Sequence, residues 1–185
     1  MSACRLGVLA FGDSITNGGG ELQWGVALQS WAQWLARGLA LPYTGLAVDG
    51  ADVAGVLAER CDRLLTLTVP LDLGRPRAGA KVHEVNAAIE ASARDNGALV
   101  VDLRDFGARN RVMTDHVHPT AFGQIAIAER ALAVLAADGL EARRRPSALI
   151  YYETTRWRRL RGDLTYLYRH SKVSARAAWG RFRAG

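Results

Sequence analysis

The sequence predicts an α/β fold built on a parallel sheet, and three observations carry that prediction. Short apolar runs of strand length recur along the chain: LGVLAF (6–11), LLTLTV (64–69) and ALVVDL (98–103). Between them lie stretches whose apolar residues repeat at steps of three and four, the spacing of one buried helix face. Strand and helix alternate instead of clustering, as parallel strands joined by helical crossovers do. No internal repeat is visible.

The elements follow in order. Residues 6–11 end in Gly12-Asp13 and read as a buried strand running into a turn. After Gly18-Gly19-Gly20, apolar residues at Trp24, Leu28, Trp31, Leu35 and Leu39 predict a helix that stops around Gly38. Trp24, Trp31 and Trp34 share this spacing and are expected in the core. Residues 43–48 read as a second strand with Asp49-Gly50 as its exit turn, and 52–60 as a short helix. The third strand, 64–69, is halted by Pro70. Residues 81–96 place Val82, Val85 and Ile89 on one helical face, and Gly97 ends that helix. The fourth strand is 98–103. Pro119 opens a last helix with Phe122, Ile125, Ala128, Leu132 and Leu135 as its buried face.

Composition bounds the rest. The chain has 185 residues, enough for one sizeable core, and its 49% apolar and 23% charged residues exclude wholesale disorder. No apolar run approaches a membrane span. The first ten residues lack a basic region followed by a long apolar stretch, so a secretory signal is not expected. Two cysteines, Cys4 and Cys61, form no C-x-x-C pair and suit a reducing compartment. A cytoplasmic setting is the expectation.

The net charge of +6 divides unevenly. Residues 1–142 carry 12 basic and 16 acidic side chains, a net of −4, whereas residues 143–185 carry 12 and 2, a net of +10. An α/β domain over 1–142 and a basic helical extension over 143–185 follow from that split. The extension also holds 7 of the 14 aromatic residues. Its Leu149, Tyr152, Leu160, Leu164 and Leu167 lie close to helical spacing, with Gly162 interrupting. Such a basic amphipathic helix can meet an anionic membrane surface or an acidic partner. No nucleic-acid motif accompanies the charge, which argues against that partner. The favoured expectation is an extension that docks its apolar stripe on the acidic body or mediates self-association.

In a parallel α/β sheet, functional groups gather at the C-terminal ends of the strands. Ser14 falls there after the first strand, Gly50 after the second, and Asp115, His116 and His118 between the fourth strand and the last helix. A serine hydroxyl is a poor nucleophile until a base takes its proton, and histidine titrates in the range for that work. The histidine in turn needs an anion on its other nitrogen. Asp115 and His118 stand three residues apart, so local geometry can set that contact. Two histidines on one loop without further convergent ligands argue against a metal. His83 reads as a solvated helix residue, His170 belongs to the extension, and Cys61 reads as an inert thiol.

Gly12-Asp13-Ser14-Ile15-Thr16 after the first strand, Gly50 after the second, and Asp115-His116-Val117-His118-Pro119 before the last helix resemble the SGNH (GDSL) hydrolase family over roughly residues 5–137. The resemblance implies a three-layer α/β/α sandwich of flavodoxin-like kind with a parallel sheet. It implies esterase or acylhydrolase chemistry on a small-molecule ester, through Ser14 as nucleophile, His118 as base then acid, and Asp115 as its orienting partner. It also implies Ser14 and Gly50 N–H groups as oxyanion donors, Asp13 as support for the serine turn, and no cofactor. A carbohydrate O-deacetylase shares this chemistry, and a non-catalytic remnant is the alternative outside it.

One departure from the family is plain. Its Gly-x-Asn-Asp block, whose asparagine supplies a further oxyanion donor, is absent. Leu64 follows Gly50 after only 14 residues, which reads as a deletion near 59–62 and a sheet short of one strand. The residues left between them just suffice for a parallel crossover of about a dozen residues, so 64–69 can pair with the first strand in the missing one's place. Asn17, close to Ser14, is a weak substitute for the lost donor. An exposed sheet region would invite a homodimer.

Overall fold

A computed structural model describes residues 7–47, 49, 62–74, 76–107, 110–152 and 155–184. The predicted helix over 52–60, together with Gly50, Cys4 and Cys61, lies outside the described residues. In chain order the elements are β1 (Val8–Ala10), α1 (Trp31–Leu39), β2 (Tyr43–Gly45), β3 (Leu65–Leu67), α2 (Lys81–Asp95), β4 (Leu99–Val101), α3 (Ala121–Ala137) and α4 (Arg156–Ala184), with a 3-10 turn at Pro146–Leu149. The architecture is mixed α/β with short parallel strands.

The strands form two small sheets. β1 runs parallel to β2 with Val8 opposite Tyr43 and Ala10 opposite Gly45. β3 runs parallel to β4 with Leu65 opposite Leu99 and Leu67 opposite Val101. The expected pairing of 64–69 with the first strand is not made. Each strand instead finds its partner across its own helical crossover, α1 for the first pair and α2 for the second, the shortest route to a parallel ladder.

One core serves both pairs. Trp31, Trp34, Leu35 and Leu39 of α1 pack with Ile125, Ala128, Leu132 and Leu135 of α3, and Ala10, Val101 and Leu103 join them. The apolar face predicted for the last helix is the buried one, with Thr120 as its cap: the Gly123 N–H donates to Thr120 Oγ1 at 3.1 Å. Thus Pro119 precedes the cap instead of occupying the first turn. On α2 the buried residues are Val82, Asn86 and Ala93, while Val85 is exposed, contrary to the apolar spacing. Asn86 takes the inner position because its amide clamps Val69, accepting from the backbone N–H at 2.6 Å and donating to the carbonyl at 2.9 Å.

The first helix begins later than the spacing predicts. Trp24 (φ 53°) and Gly25 (φ 76°) are left-handed and Gln23 bridges Val26, so the chain turns there. The helix starts after Ser30, whose Oγ accepts from the Ala32 N–H at 3.2 Å. Trp31 and Trp34 are buried as expected, but Trp24 is 54% exposed and leans on Phe122 with ring centroids 5.5 Å apart.

The extension docks on the body, through a face other than its apolar stripe. Residues 143–152 follow the core: Arg143 and Arg144 N–H groups both donate to the Gly38 carbonyl at 3.0 Å, and Leu149 packs inward. Along α4, Gly162 lies directly on Leu22, where any Cβ would overlap that side chain. About two turns further, Arg169 pairs with the buried Glu21 carboxylate at 2.6 Å. Trp157, Leu160, Leu164, Leu167 and Tyr168 face outward. A buried carboxylate demands a cation and a close approach demands glycine, and both residues sit away from the leucines. No helix among the described residues is long and apolar enough to cross a membrane.

Candidate active site

The loop after β1 is folded by its own polar groups. Asp13 Oδ1 accepts the Ile15 N–H at 2.9 Å, the side-chain turn that aspartate favours. The Asn17 N–H returns to the Asp13 carbonyl at 2.9 Å, and the Gly19 N–H to that of Ser14 at 2.5 Å. Ser14 is thereby held on a tight turn at the end of its strand, half-buried.

The second loop builds outward from Asp115. Its Oδ1 accepts the backbone N–H groups of Val117 at 2.9 Å and His118 at 3.0 Å. Its Oδ2 lies 2.9 Å from His118 Nδ1. The other ring nitrogen, Nε2, lies 3.1 Å from Ser14 Oγ. With Nδ1 donating to the carboxylate, Nε2 carries the lone pair and accepts the serine hydroxyl. Both contacts fall within the range for proton transfer. The structure therefore brings together Ser14, His118 and Asp115, residues up to 104 positions apart.

Burial pushes the Asp115 carboxyl up, but hydrogen bonds from the His118 ring and from the Val117 and His118 N–H groups outweigh it and hold the group below its ordinary 3.8. A carboxyl depressed on folding adds stability that is present above its unfolded value and lost as pH falls through the folded one. In urea melts, the stability gap between the parent and Asp115→Asn should be full at about pH 6 and shrink progressively below about pH 4. A gap that stays constant into acid would remove the carboxylate's role.

Gln124 locks the two loops together. It is fully buried on the first turn of α3. Its Nε2 donates to the Ile15 carbonyl at 3.1 Å and to that of Gly19 at 3.3 Å, and its Oε1 accepts the Trp31 N–H at 2.8 Å. Alongside it, the Ala121 N–H donates to the Glu21 carbonyl at 3.0 Å. The sequence reading missed Gln124. Its signal was a polar residue four positions before Ala128, on the face that is otherwise apolar.

Gly20 completes the junction: it holds φ 148°, and a Cβ there would collide with the Pro119 carbonyl. Gly20→Ala is expected to cost about 2 kcal/mol, from backbone strain and a displaced loop. Turnover should fall with it. A thermal melt and an activity assay check both, and an unchanged melt would contradict the close approach.

The remaining sequence candidates are placed elsewhere. Gly50 lies outside the described residues. Asn17 is exposed and donates Nδ2 to Asp49 at 3.0 Å, so its amide is already engaged at the mouth of β2. His116 Nδ1 pairs with Asp72 at 2.9 Å. With Tyr166 and His170 it lines a cavity of about 410 Å³ beneath α4, which Ser14 does not reach. His83 is exposed. Among the described residues no group of three or more His, Cys, Asp or Glu could hold a metal ion.

Glu21, next to this junction, is only 8% exposed. Burial raises its carboxyl above the ordinary value, Arg169 opposes that, and the Asp115 charge adds to it. No family model matches the chain, and neither a curated protein nor a solved structure does.

Proposed function

We propose that the chain is a serine hydrolase of SGNH type that cleaves carboxylic esters through an acyl-enzyme. The observation that carries the reading is the unbroken relay from Ser14 Oγ through the His118 ring to Asp115, at 3.1 and 2.9 Å. Ser14 Oγ attacks the ester carbonyl while its proton passes to His118 Nε2. The negative charge that develops on the carbonyl oxygen is met by the Ser14 N–H and, as the family resemblance implies, by that of Gly50. His118 then protonates the alcohol oxygen, the C–O bond breaks, and the acyl group stays on Ser14. A water molecule gives its proton to the same nitrogen, attacks the acyl carbon and frees the acid, and the proton returns to Ser14 Oγ. Asp115 holds the tautomer and stabilises the imidazolium throughout.

The finer fold reading belongs with this proposal. β1–β2 and β3–β4 are then the two flanks of a three-layer α/β/α sandwich, short of the strand that would stand between them. Two features support it: each pair is a parallel strand–helix–strand unit, and both share the core under α1 and α3. Loss of the asparagine donor makes a slow enzyme, by a factor of about 10² to 10³. The test is release of p-nitrophenol from p-nitrophenyl acetate by the full chain beside Ser14→Ala. Serine-dependent turnover supports the reading, and equal background rates from two folded proteins reject it.

A further inference from the structure

We propose that α4 is an interfacial helix that binds anionic bilayer surfaces, its outward stripe seated at the headgroup–acyl boundary. Residues 156–184 carry nine Lys or Arg against the single acid Asp163. Trp157, Leu160, Leu164, Leu167 and Tyr168 follow steps of three, four, three and one, so at 100° per residue they fall within an arc of about 100°. Each is exposed, from 48% at Leu160 to 73% at Trp157. Gly162 and Arg169, which meet Leu22 and Glu21, lie on the far side of the same helix. Docking on the body therefore presents the apolar stripe instead of covering it.

The charges border that stripe. Arg156 flanks one edge, Arg161 and Lys172 the other, and all three are exposed. Lys172 Nζ stands 5.9 Å from the Tyr168 ring. An apolar centre of Trp, Tyr and Leu with a rim of guanidinium and ammonium groups matches a surface whose acyl layer lies just beneath a plane of phosphates. Nucleic acid would call for cations at the centre of the outward face, where this helix has leucines. A second copy would have to offer an acidic apolar groove as long as the stripe. A bilayer supplies apolar and anionic layers along the whole helix. The proposal stands apart from the hydrolase reading and does not depend on it.

The experiment uses the full chain with vesicles of phosphatidylcholine alone or with about a third phosphatidylglycerol, at ~0.1 M salt, beside the double variant Leu160→Asp/Leu164→Asp. The parent should sediment with the anionic vesicles at least about tenfold more strongly than with neutral ones, and its tryptophan emission should shift to the blue. The double variant should keep its helical circular dichroism, since both leucines are exposed, and lose binding by at least about tenfold. The proposal is overturned by no binding to anionic vesicles, by binding that the double variant retains in full, or by a parent dimer that ignores vesicles and that the double variant converts to monomer. Retention of the parent by duplex DNA with none by vesicles would do the same.

Discussion

Ser14→Ala is expected to lower p-nitrophenyl acetate turnover at least about 10³-fold while leaving the melting temperature near that of the parent. The rate falls because the hydroxyl that meets His118 Nε2, at 3.1 Å, is removed. Stability holds because the serine turn is built from backbone groups and the Asp13 carboxylate, none of which the substitution removes. His118→Ala should match Ser14→Ala, and the two together should be no worse than either alone, since they act on one proton transfer. Multiplicative losses in the double variant would mean that the two residues work separately. Steady-state kinetics on the three variants decide the matter.

Gln124→Leu is expected to destabilise the fold by about 3 kcal/mol and to lower kcat more than it raises KM. The leucine leaves the buried Trp31 N–H without its acceptor and the half-buried Gly19 carbonyl without its donor. The Ile15 carbonyl keeps the Gly18 N–H at 3.3 Å, so the serine loop loosens without dissolving. Gln124→Glu separates the two roles: it keeps the acceptor for Trp31 and loses the donors to the serine loop. Urea titration measures the first effect and kinetics the second. A shift below about 1 kcal/mol for the leucine variant would make Gln124 an ordinary buried amide.

Much of the candidate site was legible because its parts are local. Asp13 to Ser14 and Asp115 to His118 are each set by turns that a few residues dictate, so the motifs could be read without the fold. The joining of the two loops was not legible in the same way. Gln124 stands in the sequence as a polar residue on an apolar face, but what it binds cannot be read until the serine loop is laid across it, and Gly20 looks like any loop glycine until Pro119 closes on it. Trp24 misled because spacing cannot register a turn: a left-handed pair at Trp24 and Gly25 interrupts the helix that the apolar residues suggest. Asn86 drew the inner face of α2 away from Val85, while Val82 stayed buried, through a backbone clamp that no apolar pattern encodes. On α4, spacing grouped Leu160, Leu164 and Leu167 correctly but joined to them Leu149 and Tyr152, which precede the helix, and it set the stripe against the body; the opposite side docks, because that turned on Gly162 and on a carboxylate 148 positions from Arg169.

The division into two strand–helix–strand units has a consequence for how the molecule could be taken apart. Among the described residues no strand ladder crosses from β1–β2 to β3–β4, and the units are joined by the α1–α3 core and by the two loops at the site. The nucleophile belongs to one unit and its base to the other. Two polypeptides expressed separately, one through residue 61 and the other from residue 62, would each keep an intact crossover and part of the relay. Neither half alone could turn over ester. Activity recovered on mixing would then titrate their reassociation, and the concentration dependence of that recovery would measure how strongly the shared core binds its two halves.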